Sequence, residues 1–150
     1  MYLENKEVFA AVEPLNDVDA MHIWRSKFVD KASKCETEIR RIAVAVGDKK
    51  MPFKALAEKI LADRRKIESG KKSEPIVKLL EELVPLIELR AELVHSQIVN
   101  EKHSKNGFLF LSNAQGSHAH FDRIVSLTAE QRKIAYDRIA TIAGQMAKLS

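Results

Sequence analysis

A run of apolar residues spaced by three and four positions most constrains what this chain can fold into. It covers residues 21–46, and its members are Met21, Trp24, Phe28, Ala32, Cys35, Ile39, Ile42 and Val46. Because an α-helix has 3.6 residues per turn, this spacing gathers the apolar side chains into one stripe on a long helix. Asn16 or Asp17 is expected to cap the start of that helix, and Gly47 with Asp48 to end it. The stripe must be covered by other elements, so it predicts a packed helical core.

Two further helices are predicted in the middle of the chain. One begins at Pro52 and carries apolar residues on one side as far as Ile67. The next begins near Glu74 and extends to about Val99, and Pro85 inside it is expected to kink or locally break it. Apolar residues cover more of this third helix than one stripe requires. It is therefore predicted to be buried in the centre of a bundle or at a dimer interface.

The C-terminal part of the chain combines a β-prone segment with a last helix. The run Phe108-Leu109-Phe110-Leu111 and the turn-like residues after it predict a β-hairpin or an ordered loop near residues 106–126. Thr128 and Gln131 have the three-residue spacing of a capping box, which marks a helix start. The predicted fold is all-α. It is an up-and-down bundle of about four main helices, with this insertion, in a single domain over residues 1–150.

Composition excludes several classes of protein. The chain has only 5 Gly and 4 Pro, which favours helices, and it has no G-x-G or G-K-[ST] loop of the kind that binds nucleotide phosphates. There is no apolar run of membrane-spanning length and no secretory signal at the N-terminus, so no membrane association is predicted. Cys35 is the single cysteine, which predicts a reducing, cytoplasmic location. Its place on the apolar stripe predicts a buried small hydrophobe and not a catalytic thiol.

The end of the third helix carries an arginine followed five residues later by a histidine. Arg90 and His95 lie in the apolar segment 86–96. A neutral histidine can move the proton of a 2′-hydroxyl or of a leaving group near neutral pH. An arginine can hold the charge of a phosphorane through its paired N–H donors. Together the two side chains supply the functional groups that cleavage of RNA without a metal ion requires.

This spacing resembles the R-x4-H signature of HEPN domains, which are small all-helical proteins and in many cases metal-independent ribonucleases. The resemblance implies that Arg90 and His95 are catalytic, and Glu92 and Ser96 are candidates to orient them. It also implies an RNA substrate, no cofactor and no metal, and a homodimer with the site at its interface. Such enzymes are often toxins of toxin–antitoxin or phage-defence systems, so an antitoxin protein is the further partner that the resemblance implies.

Helical geometry limits how this pair can act. Five steps of 100° place Arg90 and His95 about 140° apart around a regular helix, so they do not share a face. Two arrangements remain open. Either the helix ends or loosens near His95, or two copies of it face each other so that arginine and histidine from both chains line one cleft.

Basic residues suggest where RNA would be held. The net charge is +4, and much of the excess lies between residues 49 and 72. The predicted RNA-binding residues are Lys49, Lys50, Arg64, Arg65, Lys71, Lys72, His118 and His120. The alternative for the basic stretch is a solvated helix face that maintains solubility. The two histidines also suit a metal pair, but no third ligand lies at a familiar spacing, so no metal site is predicted.

Two other interpretations of the chain stay open. HEPN domains often have a polar residue directly after the arginine, whereas this chain has Ala91. A catalytically inactive module of the same fold, binding RNA or a protein, is therefore the first alternative. The second is an ordinary helical bundle in which Arg90 and His95 have structural roles. His22 lies off the apolar stripe of the first helix and is predicted to be an ordinary surface residue.

Overall fold

The fold is an all-α helical bundle, as the apolar spacing predicts, with a small sheet inserted between the third and fourth helices. The structure is a computed structural model that describes residues 17–44, 50–99, 109–112 and 124–150. Its four α-helices are α1 (Asp17–Ile42), α2 (Phe53–Ala62), α3 (Ser73–His95) and α4 (Ala129–Leu149). Three short strands form an antiparallel sheet in the order β1 (Gln97–Val99), β2 (Leu109–Ser112) and β3 (Ile124–Leu127).

Helix α1 carries the predicted stripe, and its apolar members form much of the core. Those that are buried are Met21, Phe28, Ala32, Cys35, Ile39 and Ile42. The helix ends at Ile42, because the backbone then pairs with a distant segment. Ala43 forms an isolated antiparallel bridge with Ile67, and the Val44 N–H donates to the Lys66 carbonyl at 2.9 Å. The prediction that the helix extends through Val46 to a stop at residues 47–48 is therefore wrong, since it ends at Ile42.

Helix α2 is shorter than predicted. Pro52 occupies its N-cap position, which agrees with the predicted start. The prediction that the helix extends to Ile67 is wrong, since it ends at Ala62. The Asp63 carboxylate accepts the backbone N–H of Arg65 at 3.1 Å and opens a separate turn of 3₁₀-helix. This local side-chain acceptor competes with the continuing helical ladder and so ends α2.

Helix α3 continues through Pro85 and ends before the predicted position. The predicted break does not occur, and Pro85 is exposed. The proline removes the N–H that would reach the carbonyl of Glu81, which also lies on an exposed side of the helix where water can bind that oxygen. The predicted helical extension to Val99 is wrong, because the chain leaves the helix after His95 and forms β1.

The additional apolar residues of α3 are buried against other helices of the same chain. Leu80, Leu83 and Leu93 have no exposed side-chain surface, and α3 packs against α1, α2 and α4. Of the two predicted places for this helix, the centre of the bundle is therefore the one found. Its buried leucines need no second copy of the chain to cover them.

The sheet confirms the predicted hairpin and adds a strand. Strands β2 and β3 pair from Leu109 opposite Leu127 to Ser112 opposite Ile124, and residues 113–123 between them lie outside the described residues. Strand β1 pairs with the other edge of β2, with Gln97 opposite Ser112. The sheet therefore begins one residue after Ser96, directly at the end of α3.

The N-terminus of α4 has the predicted capping box, which provides a test of local stability. The Gln131 N–H donates to Thr128 Oγ1 at 3.0 Å, and the Thr128 N–H donates to Gln131 Oε1 at 2.9 Å. Replacing Thr128 with Ala removes the side-chain acceptor, so the free energy of unfolding is expected to fall by about 1 kcal/mol. Urea denaturation followed by circular dichroism measures this, with Thr128→Ser as the control that keeps the hydroxyl. Equal stability of the Ala and Ser variants would contradict the capping role.

Candidate functional site

Arg90 and His95 lie in the last two turns of α3 but do not contact each other directly. Arg90 is half-buried, whereas His95 is exposed and is the last residue of the helix. On a regular helix the two positions are about 7.5 Å apart along the axis and about 140° apart around it. No hydrogen bond joins their side chains in the part of the chain that the structure describes. The helix ends at His95, as one predicted arrangement requires, yet this does not pair the two residues.

Two buried polar atoms flank His95 without a hydrogen-bond partner. Arg90 Nε and Ser96 Oγ are both inaccessible to solvent, and neither has a partner among the described residues. Leaving a buried donor or acceptor unpaired costs about 1–3 kcal/mol, so such atoms are uncommon in folded proteins. Both atoms lie within seven consecutive residues at this end of α3. Glu92, the other predicted supporting residue, is half-buried on the same turn.

Ser96 connects the end of α3 to α1. Its backbone carbonyl accepts a hydrogen bond from Arg25 Nη1 at 3.2 Å. The other terminal nitrogen of the same guanidinium, Nη2, lies 3.3 Å from His22 Nδ1. Arg25 is half-buried and His22 is exposed, so the guanidinium lies between a backbone acceptor and an imidazole at the surface.

The contact between Arg25 and His22 defines the tautomer of the imidazole. A guanidinium carries only N–H donors, so Nδ1 of His22 is the acceptor in this contact. A neutral imidazole with Nδ1 unprotonated carries its proton on Nε2. His22 therefore presents an N–H donor on the ring nitrogen that Arg25 does not occupy.

These residues line a cleft between the N-terminal half of α1 and the end of α3. Its volume is about 440 Å³, within the range of small-molecule sites. The polar residues of its lining are His22, Arg25, Ser26 and Ser96. The apolar residues are Val29, Leu93 and Val94. None of the described acidic residues lines the cleft, so its chemistry favours an anion.

Sequence analysis did not identify this cleft. Its polar residues come from two segments that are 71 positions apart at the Arg25–Ser96 hydrogen bond. The only local signal is that His22 and Arg25 are three positions apart, which places them on one side of a helix. His22 is a surface residue, as predicted, but it lies beside a basic partner at the rim of a cleft.

The predicted RNA-binding residues of the basic stretch are partly paired with carboxylates. Arg65 Nε lies 3.0 Å from Asp63 Oδ1, and Arg64 Nη1 lies 3.5 Å from Glu74 Oε1. The hydrogen bond from Arg65 lowers the pKa of the Asp63 carboxyl, which stays ionised beside it. Lys50 and Lys72 are exposed and Lys71 is half-buried. These pairs reduce the positive charge that residues 64–65 offer to a phosphate backbone.

Three of the predicted RNA-binding residues cannot be placed on this surface. Lys49, His118 and His120 lie outside the described residues. The role of these three residues in RNA binding therefore stays a prediction.

The described residues contain neither a metal cluster nor a reactive thiol. No group of three or more His, Cys, Asp or Glu side chains among them is arranged to hold a metal ion. Cys35 is buried, as predicted, with its Sγ 3.8 Å from the Ile139 carbonyl. Burial raises the pKa of its thiol to about 12, so the thiolate needed for nucleophilic attack is not formed near neutral pH.

Comparison with known proteins identifies no relative of this chain. No protein-family model, no curated protein and no solved structure matches it. The resemblance to HEPN domains therefore rests on the residues of the chain itself. Among the described residues, no helix has the length and apolar character needed to cross a membrane.

Proposed function

We propose that this protein is a metal-independent endoribonuclease of the HEPN type that acts as a homodimer. The observation that carries the proposal is the arrangement at the end of α3. An exposed histidine is flanked there by a half-buried arginine and by two buried polar atoms, Arg90 Nε and Ser96 Oγ, without partners among the described residues. The exposed His95 and the half-buried Arg90 are the residues that a substrate can reach, whereas the two buried atoms are inaccessible to solvent.

The proposed chemistry uses each side chain for one task. His95 removes the proton from the 2′-hydroxyl as the 2′-oxygen attacks phosphorus to form a 2′,3′-cyclic phosphate, or it protonates the 5′-oxygen as the P–O5′ bond breaks. Exposure of His95 lets its imidazole reach the RNA and exchange protons with water. Arg90 donates N–H groups to the non-bridging oxygens of the phosphorane, whose charge grows in the transition state. Glu92 and Ser96 orient these groups.

A homodimer resolves the separation of Arg90 and His95 around the helix. If two α3 helices face each other across a two-fold axis, the arginine of one copy can approach the histidine of the other. Val94, directly before His95, is 47% exposed and supplies an apolar contact at this surface. The other apolar residues of α3 are used within the bundle, so we expect a small interface centred on the end of the helix.

Location and partners follow from the activity. An RNA substrate and a single reduced cysteine suit a cytoplasmic enzyme. A ribonuclease without sequence selectivity would harm its own cell, so a protein that covers His95 would act as its antitoxin.

A catalytically inactive binding module with the same fold is the second candidate. Ala91 favours it, because this position directly after Arg90 is exposed and carries no polar group. Such a module would bind RNA or a protein at the same surface and release it unchanged.

The test is cleavage of end-labelled RNA in EDTA by the wild-type protein, Arg90→Ala and His95→Ala. Removing a general acid–base or a donor to the transition state typically lowers a rate by about 10²-fold or more, so both variants are expected to be nearly inactive. Arg138→Ala is the matched control, because it removes an exposed arginine from α4 far along the chain from the motif.

Each outcome of this assay separates the candidates. Cleavage that survives chelation and is lost only in the two motif variants supports the ribonuclease. Intact RNA in every lane contradicts it and favours the binding module. Equal cleavage by all four proteins would exclude Arg90 and His95 from the mechanism.

A further inference from the structure

The cleft between α1 and α3 has the donors that a phosphate group needs. Arg25 has five N–H donors, of which Nη1 and Nη2 each make one contact within the protein, so others remain for a ligand. His22 adds the N–H on its Nε2, as its tautomer requires. Ser26 and Ser96 also line the cleft. A positive guanidinium and an imidazole N–H, with no carboxylate among the described lining residues, favour an anion with several acceptor oxygens.

Ser96 positions Arg25 in the cleft. Its backbone carbonyl accepts the hydrogen bond from Arg25 Nη1 at 3.2 Å. Its own Oγ is inaccessible to solvent, so the hydroxyl is not offered to a ligand in the cleft.

The cleft lies directly beside the proposed catalytic histidine. Val94 and Ser96 both line it, and His95 stands between them in the chain. Neighbouring α-carbons are about 3.8 Å apart, so a group in the cleft lies close to the backbone that carries His95. His95 itself is not among the lining residues, so a ligand in the cleft reaches it only by extending past the end of α3.

We propose that this cleft binds a phosphate of single-stranded RNA that neighbours the phosphate at His95. Taking RNA as the source of the phosphate rests on the proposed function, whereas the anion chemistry of the cleft does not. Arg25 and His22 are positioning residues in this scheme. They hold the strand so that the next phosphodiester reaches His95, and they take no part in moving protons.

The experiment measures binding to RNA that cannot be cleaved. A fluorescein-labelled single-stranded oligonucleotide with 2′-O-methyl groups has no free 2′-hydroxyl, so binding is separated from cleavage. Fluorescence anisotropy in EDTA gives Kd for the wild-type protein, Arg25→Gln and Lys27→Gln. Lys27 is an exposed residue of the same helix and does not line the cleft. Both variants lose one positive charge, so a difference between them reports the cleft and not the net charge.

Arg25→Gln is expected to raise Kd about tenfold or more, because a charge-assisted contact to phosphate is lost. Lys27→Gln is expected to raise it less than about twofold, in line with loss of a distant surface charge. A plot of log K against log salt concentration has a slope that depends on the number of phosphate contacts. In Arg25→Gln this slope should become less steep by about 0.7, because one phosphate contact is lost, and in Lys27→Gln it should not change. Equal weakening in the two variants would overturn the proposal.

His22→Ala keeps the test valid if Arg25→Gln fails to fold. It changes an exposed residue and leaves the hydrogen bond from Arg25 to the Ser96 carbonyl in place. It is expected to weaken binding several-fold at unchanged Tm. Unchanged affinity in His22→Ala would contradict the proposal.

Inorganic phosphate distinguishes the source of the anion. If phosphate raises the Tm of the wild-type protein but the oligonucleotide does not bind, the cleft takes a free phosphate and the assignment to RNA is wrong. If the oligonucleotide binds through Arg25 while the cleavage assay shows intact RNA, the cleft proposal stands and the proposed nuclease activity fails. If neither binds, the cleft proposal is overturned.

Discussion

Mixing the inactive Arg90→Ala and His95→Ala proteins is expected to restore about a quarter of the wild-type ribonuclease activity. In the proposed dimer each site takes its arginine from one copy and its histidine from the other. A mixed dimer of the two variants then has one site with both residues and one site with neither. Random exchange of subunits gives half mixed dimers, and half of their sites are complete.

The reason for this expectation is the geometry of α3. The helix is continuous from Ser73 to His95, so Arg90 and His95 of one chain point in directions about 140° apart. The rate in EDTA is measured after the two proteins are unfolded together and refolded. The Arg90→Ala/His95→Ala double variant, mixed with itself, is the matched control and should stay inactive. No recovery in the mixture, with both single variants folded and dimeric, would show that each site lies within one chain.

Phe28→Ala is expected to lower the free energy of unfolding by about 3–5 kcal/mol. Phe28 has no exposed surface and packs in the core, and its ring stacks on Trp24 with centroids 5.4 Å apart. Truncation loses the transfer free energy of the ring and leaves a cavity that the neighbouring helices fill only partly. Single domains have a total stability of about 5–15 kcal/mol, so the variant is expected to be marginal.

Urea denaturation measures this loss, with circular dichroism and Trp24 fluorescence as two independent signals. Trp24 is the only tryptophan of the chain, so its emission reports this part of the core alone. Phe28→Leu keeps most of the apolar volume and should lose considerably less stability than Phe28→Ala. Ile23→Ala is the surface control on the same helix, because Ile23 is 39% exposed. A loss in Phe28→Ala no greater than that of the surface control would contradict the packing described here.

The helices could be predicted from the sequence where their own residues decide them. The stripe on α1 depends only on spacing along one helix, and the capping box of α4 depends only on Thr128 and Gln131. The end of α1 could not be predicted in the same way, because it depends on backbone pairing of Ala43 with Ile67, which is distant in the chain. The end of α2 does have a local signal, the bond between Asp63 and Arg65, but the apolar spacing continues past it to Ile67.

The proline in α3 removes a helical hydrogen bond without breaking the helix, so the predicted break does not occur, while the predicted kink stays a prediction. Pro85 does remove one helical hydrogen bond, but the apolar residues on both sides of it pack into the same core. Burial of Leu83 and Leu86 holds the helix together across the missing bond. Tertiary packing therefore outweighs the local preference at this position.

Only part of the candidate site could be predicted from the sequence. Arg90 and His95 are five positions apart, so their spacing could be compared with a known signature. Arg25 and Ser96 meet only because α1 packs beside the end of α3, and no spacing in the chain indicates that contact. A cleft built from two helices becomes visible only when their packing is known.

The attachment of the sheet to the bundle has a consequence for how this protein can change in evolution. The chain between α3 and α4 is held at both ends by neighbouring residues of α1. Arg25 binds the Ser96 carbonyl at 3.2 Å, and Trp24 Nε1 donates to the Arg132 carbonyl at 2.8 Å. Since both ends are fixed independently of what lies between them, insertions, deletions or grafted sequences there need not disturb the helices. New binding specificities can therefore arise next to His95 while the bundle keeps its shape.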